Sequence, residues 1–158
     1  MNWHEACAHP GLRDLPFKVE LNEWGQIVMS PIRVRHAVFQ GRIMSQFHAK
    51  LSGGAVLAEC AVETSLGVRV ADVAWVSDFR LNKIRHEAAA SISPEICVEV
   101  FTEISATAEM EQRRRLYFES SAREVWFCSR KGVISFFDTD GKLKRSALCP
   151  DFPPKIES

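Results

Sequence analysis

The 158-residue sequence lacks a surplus of either charge: 20 Lys and Arg stand against 20 Asp and Glu. Proteins that coat nucleic acid non-specifically rely on a basic excess, so the balance argues against that class while leaving room for a local basic patch. No stretch is long and apolar enough to span a membrane. The N-terminus lacks the basic-then-apolar layout of a signal peptide. Five cysteines (Cys7, Cys60, Cys97, Cys128 and Cys149) are scattered and include no C-x-x-C pair. They read as free thiols, three of them inside apolar runs, and they suit a reducing cytoplasm rather than a disulfide framework. There is also no internal repeat, low-complexity segment or linker.

What is present is an ordinary globular composition. With 46% hydrophobic and 25% charged residues, the chain has enough apolar material for one domain with its own core. Two apolar, strand-like runs stand out. Pro94 to Phe101 carries Glu99 at its middle, and Val68 to Val76 carries Asp72. An unpaired carboxylate in such a setting costs several kcal/mol, so each acid needs a cation or hydrogen-bond donors. Two acids on two strands suggest a divalent-metal site. The plainer reading is a strand edge or end, where each acid is wet or paired with an arginine.

Taken in order, residues 1–16 read as a loosely packed arm, and residues 17–158 as a single domain. His4, Cys7 and His9 match no zinc spacing. Phe17 to Leu21 and Gln26 to Met29 form a hairpin, with Glu20 and Lys18 on one strand face that reads as wet. Val34 to Leu51 is a helix, with Phe39, Ile43, Phe47 and Leu51 at four-residue spacing. His36, near its start, reads as an exposed histidine. Gly53 and Gly54 stop the helix. Ala55 to Glu63 and Val68 to Val76 pair as antiparallel strands across a short turn. Arg80 to Ala90 is a short helix or ordered loop. Thr107 to Ser121 is a helix whose inner face carries Met110, Arg113, Leu116 and Tyr117. Arg123 to Cys128 and Val133 to Phe137 are strands. Asp140-Gly141 is a turn, Lys144 to Leu148 an edge strand, and Phe152 to Pro154 an extended tail. Strands flanking two helices indicate an α/β or α+β domain around a central mixed sheet.

Four motifs come in a set order: Val70-Ala71-Asp72-Val73, Pro94 to Val100, Arg113 to Glu119 with Tyr117, and Arg123 to Cys128 with Trp126. In this order the sequence resembles the Uma-type family of bacterial and cyanobacterial restriction-endonuclease-like proteins, within the PD-(D/E)XK superfamily. The likeness spans roughly residues 17–156. It implies an α/β restriction-endonuclease-like mixed sheet flanked by helices, and a divalent metal, Mg²⁺ or Mn²⁺, held by acids. Asp72 takes the place of the P-D acid, with Ala71 in place of the proline. Glu99 takes the (D/E) position, and Glu20 matches an early acid that completes the site. The lysine that the family draws from the following helix falls at Arg113.

The resemblance thus implies DNA as substrate, hydrolysis of its phosphodiester bonds, and Asp72, Glu99 and Arg113 as the catalytic set, in a homodimer if two strands are cut. Arginine stays protonated and cannot act as a base, although it can hold a phosphate. Weak or absent cleavage is therefore expected, with Arg113→Lys raising it and Arg115→Lys neutral. The alternatives are a degenerate relative that binds nucleic acid or a protein partner without cutting, and a small interaction domain whose acids are surface groups.

Overall fold

The computed structural model describes residues 1–101 and 107–158. Strands β1 (Phe17–Leu21) and β2 (Ile27–Pro31) form the expected antiparallel hairpin. Asn22 shapes its turn, because its side-chain oxygen accepts the N–H groups of Trp24 and Gln26. Helix α1 (Val34–Lys50) follows, burying Phe39, Ile43 and Phe47 along one stripe. It gives way to Gly53, whose φ of 74° a side chain would disfavour. Strands β3 (Gly54–Thr64) and β4 (Gly67–Ser77) pair antiparallel along their length. Gly67 lets their turn press on the end of β1, where an added Cβ would lie 2.3 Å from the Leu21 carbonyl oxygen. Ser77 caps helix α2 (Asp78–Ile84). Then come β5 (Ile96–Val100), helix α3 (Thr107–Glu119), β6 (Glu124–Cys128), β7 (Ile134–Asp138) and β8 (Gly141–Leu143).

These strands make one eight-stranded sheet in the order β2-β1-β4-β5-β6-β7-β8, with β3 on β4. Among the described strands only β5 and β6 pair in parallel, and the chain between them passes through α3. Because β3 fills one edge of β4, β1 and β5 must share the other. β1 pairs there at Val68, and β5 from Val73 to Trp75. Between those points the sheet forks, and Asp72 lies in the fork. The ladder with β3 is also interrupted at this level: Glu59, opposite Asp72, adopts φ 54°. The Asp72 carbonyl accepts a hydrogen bond from Gln40 Nε2 instead, at 2.8 Å.

The core lies on both faces. On one, Phe39, Ile43 and Phe47 of α1 pack with Val73, Val98 and Trp126 of the sheet and with Phe152 and Ile156 of the tail. On the other, Ile84 of α2 and Tyr117 of α3 pack with Val76, Cys97, Val125 and Phe127. All five cysteines are free, and Cys97, Cys128 and Cys149 are buried.

Three expectations need correction. Residues 1–16 are not simply loose: Trp3–Ala8 is a helical turn with an Asn2–Glu5 capping box, and Trp3 Nε1 donates to the Ala88 carbonyl. The last strand is Gly141–Leu143, not Lys144 to Leu148. The later segment is drawn off the sheet by the buried Glu124 carboxylate, which accepts from the Ser146 hydroxyl and the N–H groups of Ala147 and Leu148. The tail is more than an extended closure, since it buries Phe152 and Ile156 and exchanges backbone hydrogen bonds with residues 132–134.

Candidate active site

The fork draws charged side chains from four elements to one place. β1 alternates, so Lys18 and Glu20 face the same way. β4 supplies Asp72, β5 supplies Glu99, and α3 supplies Arg113 and Tyr117. The four charged groups on the strands, and Arg113, are at least nine-tenths buried. Lys18 Nζ lies 2.9 Å from Glu99 Oε2, 3.2 Å from Asp72 Oδ1 and 3.9 Å from Glu20 Oε2. Asp72 and Glu99 therefore share one face of the sheet and converge on one cation. Arg113 points inward as expected and grips Glu20 with both terminal nitrogens, at 2.8 and 2.5 Å. It also reaches Glu99 Oε1 at 3.3 Å.

Donors complete the arrangement. Asp72 Oδ2 accepts the Val100 N–H at 2.7 Å, and Glu20 Oε2 accepts the Val70 N–H at 2.7 Å. The Tyr117 hydroxyl donates to Glu99 Oε1 at 2.5 Å. His36 is buried, not exposed as its sequence position suggests, and its Nε2 lies 3.3 Å from Asp72 Oδ1. A cleft of about 270 Å³ opens onto this cluster, lined by Lys18, Arg33, His36, Asp72, Glu99 and Arg113 among others.

The electrostatics follow from three carboxylates facing two cations. Burial opposes the charged form of every group here. For Asp72 that cost is overcome by Lys18, by His36 and by the Val100 N–H, and its pKa lies well below the ordinary range. Glu20 is likewise lowered against its burial, by Arg113, Lys18 and the Val70 N–H. Lys18 is held above its ordinary value despite burial, chiefly by Glu99 and Asp72. The surplus negative charge falls on Glu99. Its burial, with Asp72 and Glu20 nearby, pushes it up to about 7 against the pull of Lys18 and Arg113.

Glu20, Asp72, Glu99 and Arg113 were each recognisable as candidates, and the fold gathers all four. Two further groups at the site, Lys18 and Tyr117, carry no such signal in the sequence. Lys18 lies on a strand face that reads as wet in the sequence, and only the pairing of β1 with β4 beside β5 shows it to be buried among the acids. Tyr117 fits the apolar inner face of its helix by its ring, and helical spacing alone says nothing of its hydroxyl, which meets Glu99. Asp72 Oδ1 and Glu99 Oε2 are hard oxygen donors already converging on a cation, which suits a small divalent ion. Glu20 suits it less, since Arg113 and Val70 occupy both of its oxygens. Among the described residues no three His, Cys, Asp or Glu side chains stand together as metal ligands would.

A forked mixed sheet, helices on both faces and acids from adjacent strands at the fork define a restriction-endonuclease-like α/β domain. A family model bears this out over residues 10–150: the chain belongs to the Uma2 family, described as "Putative restriction endonuclease". No curated protein matches the sequence. Among solved structures, the chain is similar to one described as a putative nuclease belonging to DUF820 from Anabaena variabilis ATCC 29413. The TM-score is 0.69 at 13% identity, over 87% of this chain and 79% of that one, a likeness of fold. No helix among the described residues is long and apolar enough to cross a membrane.

Proposed function

We propose that this protein is a metal-dependent endonuclease that hydrolyses phosphodiester bonds in DNA. The observation that carries the reading is the convergence of Asp72 Oδ1 and Glu99 Oε2 on one cation at the floor of a cleft. Asp72 and Glu99 would hold Mg²⁺ or Mn²⁺, with water completing the coordination. The ion would supply a water of lowered pKa and a Lewis acid for the phosphate. The chain's own residues prepare that site. The Val100 N–H fixes Asp72, the Tyr117 hydroxyl fixes Glu99, and Arg113 with Glu20 ties α3 to β1. Arg113 leaves the helix without the lysine that the family pattern implies, so cleavage depends on an amine from elsewhere. One cleft reaches one strand, so a homodimer belongs to this reading wherever both strands are cut.

A second reading is a relative that binds nucleic acid or a protein without cutting. It is favoured by the Lys18 ammonium, which already stands between the two carboxylates that would hold a metal. Supercoiled plasmid separates the two readings. The nuclease reading expects nicking with Mg²⁺ or Mn²⁺ and none with EDTA. Asp72→Asn or Glu99→Gln should each lower the rate about 100-fold or more. Nicked circle preceding linear product would indicate one strand per encounter, whereas direct linear product would indicate the homodimer. DNA retained without metal-dependent nicking would give the second reading.

A further inference from the structure

In the family pattern the site's amine comes from the helix, and here that position is Arg113, whose guanidinium is committed to Glu20 by two hydrogen bonds. The cleft still holds one amine. Lys18 comes from β1, the strand on the other branch of the fork, and lines the cleft beside Asp72 and Glu99. An ammonium has three donors. One of them goes to Glu99 Oε2 at 2.9 Å, while Asp72 Oδ1 at 3.2 Å is an ion-pair neighbour and Glu20 at 3.9 Å lies beyond hydrogen-bond reach. A metal held by Asp72 Oδ1 and Glu99 Oε2 would take over both contacts and leave the ammonium's donors to whatever enters the cleft that Lys18 lines.

We propose that Lys18 is a catalytic residue, donating to a non-bridging oxygen of the scissile phosphate in place of the helix lysine. The inference rests on the nuclease reading. Charge supports it: adding one divalent ion and one phosphodiester to three carboxylates and two cations leaves the filled site neutral. Without Lys18 it would carry a buried net negative charge beside a phosphate that gains charge as water attacks. In the reaction, the water oxygen bonds to phosphorus as the bond to the leaving oxygen breaks. One water proton ends on the leaving hydroxyl and the other in solvent. Lys18 stays an ammonium throughout, so its contribution is a fixed charge and a donor.

The test compares wild type with Lys18→Met, Lys18→Gln and Lys18→Arg, reading plasmid nicking and, separately, Mn²⁺ binding by electron paramagnetic resonance. Lys18→Gln keeps an N–H donor and similar bulk, so it serves if Lys18→Met fails to fold. The expected result is about 100-fold slower nicking by both neutral variants, with Mn²⁺ affinity within tenfold of wild type. Lys18→Arg, which keeps the charge, should recover part of the rate. Neutral variants that nick like wild type would overturn the proposal. So would a loss of Mn²⁺ binding in step with the loss of nicking, because Lys18 would then only support the ligands. Wild type that does not nick, whether or not it binds Mn²⁺, would overturn the nuclease reading and the Lys18 assignment with it, whereas the variant outcomes above overturn the assignment alone.

Discussion

Arg113 places both terminal nitrogens on Glu20, and this occupation changes what a substitution there should do. On family pattern alone, Arg113→Lys restores a missing lysine and raises activity. In the structure it removes a planar, two-pronged grip that an ammonium cannot reproduce. We expect Arg113→Lys to lose about 1–3 kcal/mol of stability in urea denaturation without faster nicking. Nicking that rises severalfold would restore the helix position as the source of the amine. The acids make a second prediction, in opposite directions on two sides of pH 5. Asp72 and Glu20 are lowered in the fold, so the stability they confer is present above their unfolded values, near 4, and is lost as pH falls. Glu99 is raised to about 7 from an ordinary 4.5, so between those values the folded state binds more protons than the unfolded chain. Stability must then fall as pH rises through that window. In EDTA, urea midpoints should peak near pH 5 and decline toward pH 3 and pH 7.5. Glu99→Gln should flatten the upper limb; an unchanged decline in that variant would assign the limb to other groups.

At the scale of elements, periodicity made most of the fold legible. Phe39, Ile43 and Phe47 announce the first long helix, and the strand pairs around the Asn22 and Gly67 turns follow from alternation and turn residues. The place of the last strand is not legible in its own residues, because a buried acid elsewhere decides it. Glu124 opens β6 at 2% exposure, and its oxygens accept from Trp126 Nε1, the Ser146 hydroxyl and two backbone N–H groups. That competition takes residues 146–148 off the sheet edge, and no pattern within Lys144 to Leu148 could reveal it. Replacing Glu124 with alanine should strand those donors, at a cost of about 2–5 kcal/mol. Hydrogen exchange should show Ala147 and Leu148 losing protection before the β5–β6 ladder does. Protection retained at both amides would mean that the loop holds itself in place.

For the whole molecule, the balance of charge and the placement of the site bear on one another. The acids could be picked out because charged groups in apolar strands are costly. Their shared cation could not, because it depends on β1 and β5 meeting along one edge of β4, a fact of topology. On the nuclease reading proposed above, that same topology limits how DNA would be held. With 20 basic residues offset by 20 acidic ones, the molecule has no net field to draw a polyanion over its whole surface. On that reading attraction would come from the cleft, where Lys18, Arg33 and Arg113 line the wall. Each phosphate neutralised on duplex DNA adds about 0.9 to the slope of log affinity against log salt. A cleft-only interface that neutralises a few phosphates should give a slope of about −2 to −4. The measurement is fluorescence anisotropy of a labelled duplex with Ca²⁺ in place of Mg²⁺, from 50 to 200 mM salt. A slope steeper than about −6 would show that basic groups beyond the cleft hold the DNA, and the site would then be one part of a broader binding face.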